Sequence, residues 1–190
     1  MMSAVASNMV PLGTISPGFR LPDPAGVEHD LDGLAAQAPC LVVMFLSNHC
    51  PYVRHIGREL GLVTARLSRH GAAVVGIMSN DVVAYPDDAP EHMASTARAF
   101  GWEFPYLFDE SQEVALAYHA ACTPDLFVFD GQRRLAYRGQ FDGARPSNNV
   151  AVTGSDLRTA ADAVLAGTPA PDDQIPSMGC NIKWRAHLEH

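Results

Sequence analysis

The sequence predicts an α/β sandwich with a mixed central sheet, and three observations carry that expectation. Two short apolar runs, "CLVVMFLS" (40–47) and "AAVVGIMS" (72–79), read as strands buried on both faces. Between them Val53, Ile56, Leu60, Val63 and Leu67 recur at helical spacing, which gives the β-α-β order of a parallel, right-handed crossover. Further on, "DLFVFDGQRRLAYRGQFD" presents two strands around an Asp-Gly turn, an antiparallel hairpin signal.

The remaining elements follow in order. Residues 1–20 are polar and turn-rich, with about the first 15 expected to be loosely held. "FRLPDPAGVEHDL" reads as two short extended pieces around a Pro/Gly turn, a β-hairpin extension ahead of the main sheet. The helix after the first apolar run begins at Pro51 and is ended by Gly71. "DAPEHMASTARAFGW" predicts a helix that starts after Pro90 and stops near Gly101, and "FPYLFD" (104–109) a short strand. "SQEVALAYHA" (111–120) predicts a helix with Ser111 as N-cap, and "SDLRTAADAVLAG" a closing capped helix from Ser155 to Gly167. A Pro-rich tail, expected to be loose over about 168–187, follows.

At 190 residues, 47% of them apolar, the chain can bury one substantial core, and residues 1–187 are expected to form a single domain. The closing "LEH", Leu188 to His190, resembles the start of a cloning scar. The formal charge is −8, Lys183 is the one lysine, and the twelve arginines are scattered, so no patch suits nucleic acid or anionic lipid. No basic and apolar leader opens the chain, and no apolar run approaches the roughly 20 residues of a membrane span, so a cytoplasmic protein with no membrane partner is expected. Cys40, Cys50, Cys122 and Cys180 contain no C-x-x-C pair, which argues against a zinc knuckle, and a reducing compartment would keep them mostly as free thiols. Phosphate-binding glycine loops, a nucleophile-elbow serine and paired catalytic carboxylates are not recognisable, and no cofactor is expected.

Cys50 carries the strongest chemical signal. If the strand ends near Ser47 and the helix starts with Pro51, Cys50 is the N-cap. Its sulfur then lies against unpaired backbone N–H groups and the positive end of the helix dipole, an arrangement that lowers a thiol pKa from about 8.5 into the range of roughly 3.5 to 7.5. Arg54, pointing back toward the helix start, would add to that bias. His49 and His55 flank the same turn, but without a pairing motif they read as exposed or hydrogen-bonded fillers rather than metal ligands. A second unusual piece, "AACTPDLFVFD" (120–130), places Thr123-Pro124 at the entrance of a strand, where proline need not donate to the ladder. Base rates alone favour a trans bond there.

Taken together, "PGFRLPD", "SNHCPYV", "CTPDLFVFD", "GQFDGARPSNN" and "PSMGCNIKWR" resemble, over nearly the whole chain, the thioredoxin-like, peroxiredoxin-related redoxins that include the alkyl hydroperoxide reductase/thiol-specific antioxidant family. The resemblance implies a thioredoxin fold, a three-layer sandwich, with Cys50 as the nucleophile and Thr123 and Pro124 as a cis-proline loop that faces it and receives an extended substrate. It implies a thiol-dependent oxidoreductase that takes a disulfide or peroxide substrate and an external thiol reductant, as a monomer or an oligomer. Two departures stand out. C-P-Y-V puts Val53 where a resolving cysteine would sit, and Val43 stands where P-x-x-x-T-x-x-C has its proline, while Ser47 keeps the hydroxyl. A second thiol is therefore sought elsewhere: Cys122 first, Cys180 in the tail or an external thiol otherwise, with Cys40 expected to be inert. The rival reading is a non-catalytic binding module or redox sensor that holds a partner's extended segment beside Pro124.

Overall fold

A computed structural model describes residues 4–186. Leu188 to His190, read as a cloning scar, and the first three residues of the N-terminal segment lie outside the described residues.

In chain order the elements are β1 (Ala4–Ala6), β2 (Arg20–Pro22), β3 (Glu28–Asp30), α1 (Leu31–Leu34), β4 (Cys40–Phe45), α2 (Pro51–Arg69), β5 (Ala72–Met78), α3 (Pro90–Phe100), β6 (Tyr106–Phe108), α4 (Glu113–Ala117), β7 (Cys122–Thr123), β8 (Asp125–Asp130), β9 (Leu135–Gly139), α5 (Ser155–Leu165) and β10 (Met178–Asn181). The central sheet runs β6-β5-β4-β8-β9. Its first three strands are parallel, β8 is antiparallel to β4, and β9 is antiparallel to β8. β2 and β3 form the expected hairpin.

Alternation along β4 explains the layers. Cys40, Val42, Met44 and Leu46 face a core shared with α2 and α5 through Val53, Ile56, Leu60, Leu157 and Ala161. Leu41, Val43 and Phe45 face the opposite core with Phe19, Leu31, Ala115, Tyr118 and Phe127. Both faces are covered, which is why the run carries no polar residue.

Helix α2 packs closely on the end of α3. A Cβ on Gly61 would meet the Phe100 carbonyl oxygen at 2.6 Å and that of Gly101 at 3.0 Å. Gly→Ala inside a helix ordinarily gains up to about 1 kcal/mol from propensity. Here backbone must shift, so Gly61→Ala is expected to lower stability by about 1 to 3 kcal/mol, read as a lower denaturant midpoint.

The structure corrects several local expectations. Ser111 is not the N-cap of α4; Gln112 holds that position with φ 64°, and Asp109 accepts from the N–H of Ala115 at 2.9 Å and of Val114 at 3.4 Å. Ser155 is the first residue of α5 rather than its cap, and the Asp142 carboxylate takes the N–H groups of Thr153 and Gly154 at 2.6 and 2.7 Å. The first-turn N–H groups of α5, those of Asp156 and Leu157, reach the Phe141 carbonyl at 3.2 and 3.3 Å, an acceptor too far back in sequence for a local search to find. Strands form within the segments expected to be loose, at Ala4–Ala6 and Met178–Asn181. β10 lies between β1 and β7, antiparallel to both, because paired strand edges satisfy backbone groups that polar side chains do not.

Candidate active site

The strand-to-helix turn that ends β4 presents Cys50. The residue is the N-cap of α2 with extended dihedrals (φ −62°, ψ 121°), and Pro51 opens the helix. The turn is held from below by Asp88, a fully buried carboxylate that closes a short 3-10 turn, Pro86–Asp88. Asp88 accepts from Ser47 Oγ at 3.0 Å, from the N–H of Asn48 at 2.6 Å and of His49 at 3.3 Å, and from Asn80 Nδ2 at 2.6 Å. Ser47 Oγ in turn accepts the N–H of Cys50 at 3.2 Å. Every backbone donor from Asn48 to Cys50 thus has a fixed acceptor. Arg54 donates to the Asn48 carbonyl at 3.4 Å, so it braces the turn's backbone.

His49 pairs with Asp88 through Nδ1 at 2.7 Å and stacks on Tyr85 with the ring planes 2° apart. The hydrogen bond to Asp88 holds the imidazole pKa above its ordinary value, and the neighbouring Cys50 charge acts in the same direction. Burial alone would raise the Asp88 carboxyl, but the bonds from His49, Asn80 and Asn48 outweigh it, so the group is held below the usual carboxylate range.

Cys50 is fully buried. Its closest thiol partner is Cys180 on β10, whose hydrogen bond is the largest influence on Cys50 and pulls its pKa down to about 6 against the opposing effect of burial. The Thr123 hydroxyl and the N–H groups of Val53 and Cys180 add to the stabilisation of a thiolate. Among the described residues the Thr123 hydroxyl has no other partner, so its O–H is available to the sulfur. In the thiol form Cys50 instead donates to the Thr123 carbonyl at 3.1 Å. Cys180 is pushed the opposite way, far above a free thiol, first because it hydrogen-bonds to Cys50 and then because it is buried. The pair is thus arranged with the charge on Cys50 and the proton on Cys180.

The structure brings Cys50 and Thr123 together, next to Pro124, and the Thr123-Pro124 peptide is cis, not the trans form that base rates favour. Cys122, the first choice from sequence for a second thiol, precedes Thr123 on the same strand. That sulfur points to the Pro124 carbonyl, 3.5 Å away, and burial drives its pKa up. Residue parity explains the difference: Thr123, not Cys122, is the position on β7 that faces Cys50, and Cys180 is the residue registered opposite Thr123. Cys40 lies at the far end of β4, with burial first and Asp162 second pushing its thiol up to about 12.

Asp88, Asn80 and Arg138 had no signal in the sequence pattern. Asn80 joins the two cysteine segments, since its Oδ1 accepts the N–H of Lys183 at 2.9 Å while its Nδ2 holds Asp88. Arg138, fully buried, bonds Asp125 at 2.9 Å and the His119 carbonyl at 2.7 Å, and lies 4.4 Å from the Phe127 ring centroid. Asp125 also takes the N–H of Ala121 at 3.1 Å, so this ion pair anchors the segment that carries Thr123 and Pro124.

A cysteine at a helix start, faced by a loop entering an antiparallel strand of a mixed sheet, is the arrangement of a thioredoxin-like fold. The fold is shared, at 14% identity and a TM-score of 0.57, with the thioredoxin domain of a thiol-disulfide oxidoreductase from Bacteroides vulgatus, over 68% of this chain and 89% of that one. Residues 12–138 match the AhpC/TSA family, and the chain belongs to it. A hypothetical protein from Sinorhizobium meliloti 1021 is 49% identical, with a TM-score of 0.93 over 95% of this chain and 98% of that one. An uncharacterized conserved protein from Geobacillus kaustophilus is 46% identical, with a TM-score of 0.94 over 98% of both chains. No curated protein matches the chain. Family and fold together support a thioredoxin-like redox function.

Proposed function

We propose that the protein is a thiol-dependent oxidoreductase in which Cys50 is the attacking thiolate and Cys180 the resolving thiol. The observation that carries this reading is the Cys50-Cys180 contact at the start of α2, which lowers one thiol pKa while raising the other. With a hydroperoxide, the Cys50 sulfur attacks the terminal oxygen. An S–O bond forms, the O–O bond breaks, and the departing alkoxide takes up a proton, leaving Cys50 as a sulfenic acid. Loss of the Cys50 charge removes the main reason that Cys180 holds its proton. The Cys180 sulfur then displaces water from the sulfenic acid and closes a disulfide. With a disulfide substrate, the same two sulfurs act through a mixed disulfide, and two external thiol groups return the oxidised pair to its starting state. A cytoplasmic setting, with its reducing thiol pool, suits that last step.

Alkylation followed against pH tests the first part. Cys50 is expected to react with a midpoint near 6, where Cys40 stays unreactive through neutral pH. Peptide mapping after one equivalent of hydrogen peroxide is expected to find a Cys50-Cys180 disulfide. A Cys50 midpoint at about 8.5, the value of a free thiol, with no disulfide formed, would overturn the reading.

A further inference from the structure

An exposed strand edge beside a reactive cysteine is a docking place for an extended polypeptide, which adds to the sheet through main-chain hydrogen bonds. In this chain that edge is taken. β10 pairs with β7 in the register Cys180 to Thr123 and Asn181 to Cys122, and β1 covers its other side from Ala4 to Ala6. The seam is tight. A Cβ on Gly179 would lie 2.0 Å from the Thr123 carbonyl oxygen, the same oxygen that receives the Cys50 thiol. The flanks are tied as well: Ser177 Oγ donates to the Gly139 carbonyl at 2.6 Å, and Ile182 N–H to that of Ala121 at 3.1 Å. Lys183 N–H is held by Asn80, and the Lys183 carbonyl accepts from Gln112 Nε2 at 2.8 Å. Cys50 is 0% and Cys180 4% exposed. The cleft on the Pro124 side, bordered by Tyr52, Ile56, Pro124, Arg145, Ser177 and Met178, has a volume of about 20 Å³, room for one water-sized group.

We propose that β10 is the specificity element of this site: the chain's own tail fills the strand position beside Thr123, so Cys50 reacts with small oxidants and excludes disulfide-bearing polypeptides. The proposal rests on the thiol oxidoreductase reading above. It turns the same edge against the alternative of a binding module, since a partner's segment has no free strand to pair with until β10 leaves β7.

Two mixed disulfides with the same leaving group test it on the full, reduced chain: free cysteine carrying thionitrobenzoate, and a flexible strand-length peptide whose one cysteine carries it. In each, Cys50 thiolate attacks the cysteine sulfur, the S–S bond breaks, and coloured thionitrobenzoate anion departs; Cys180 then displaces the bound cysteine or peptide as a thiol. Because the peptide requires β10 to open, it is expected to react at least about 100-fold more slowly than the amino acid. Gly179→Val, which wedges β10 from β7, is expected to shrink that ratio. Hydrogen exchange on wild-type protein gives an independent reading, with the amides of Cys180 to Lys183 expected to be protected. Equal rates for both reagents, or unprotected tail amides, would overturn the role of β10. If neither reagent consumes Cys50 but hydrogen peroxide does, the cover of β10 admits only the smallest oxidants, and Gly179→Val is expected to admit the amino-acid reagent first; if hydrogen peroxide fails as well, it is the oxidoreductase reading that fails.

Discussion

Cys180→Ser is expected to abolish disulfide closure while sparing the first oxidation of Cys50. The serine hydroxyl is a donor of similar placement, but it cannot form the S–S bond, so oxidant converts Cys50 to a sulfenic acid that accumulates or is carried further to the irreversible sulfinic acid. Intact-mass analysis after peroxide treatment reads this directly: wild-type protein loses two hydrogens, and the variant gains one and then two oxygens. Cys122→Ser is the informative companion. Its sulfur faces the Pro124 carbonyl, so this change is expected to leave Cys50-Cys180 closure intact. If Cys122→Ser abolishes closure and Cys180→Ser does not, the assignment of the resolving thiol reverses.

Asp88→Ala carries the second large effect. The carboxylate is fully buried and is shared by Ser47, Asn48, His49 and Asn80. Its removal leaves several buried donors without an acceptor, for a loss of about 3 to 5 kcal/mol in unfolding free energy. It also frees the turn that aims Cys50, so thiolate reactivity is expected to fall even where the fold survives at low temperature. The pH dependence of stability separates the partners. Asp88 has a folded pKa below its unfolded value of 3.8, so its contribution is present above that pH and disappears as pH falls through the lower, folded pKa. His49 has a folded pKa above its unfolded 6.5; its contribution is complete below 6.5 and disappears as pH rises through the higher, folded pKa. The pair is jointly strongest between 3.8 and 6.5. Cys50, held near 6 and so below a free thiol, adds stability over the same range as pH rises, so the His49 contribution is read as a difference: the gap in denaturant midpoint between wild type and His49→Gln is expected to narrow from pH 5 to pH 8. An unchanged gap would remove His49 from this role.

The main sheet was legible because its strands are continuous apolar runs and its long helix has a strict stripe, patterns set by burial on two faces or on one. The Cys50 turn was legible for a local reason too, since Cys-Pro at a strand end constrains both cap and helix start. What pattern could not supply was the partner across the fold. Val53 in place of a cysteine sends the search for a second thiol along the chain, and closeness to Pro124 makes Cys122 the first choice there, whereas the thiol that hydrogen-bonds Cys50 is Cys180. In a strand adjacent residues face opposite ways, and the one-residue offset that chooses Thr123 is fixed by pairing with β10, a tail segment whose prolines and polar residues suggest no strand. Asp88 was hidden in "YPDDAP", an acidic turn whose composition reads as surface, and only the tertiary position of Pro86–Asp88 buries one of its two carboxylates.

The placement of β10 also bears on biosynthesis. Cys50 sits early in the chain, whereas its hydrogen-bond donor and its cover arrive with the final described strand. While the chain is still being made, the helix that activates the sulfur can form before Cys180 has emerged. A stalled or C-terminally clipped chain is therefore expected to display an uncovered Cys50 without Cys180 beside it, open to stray mixed disulfides.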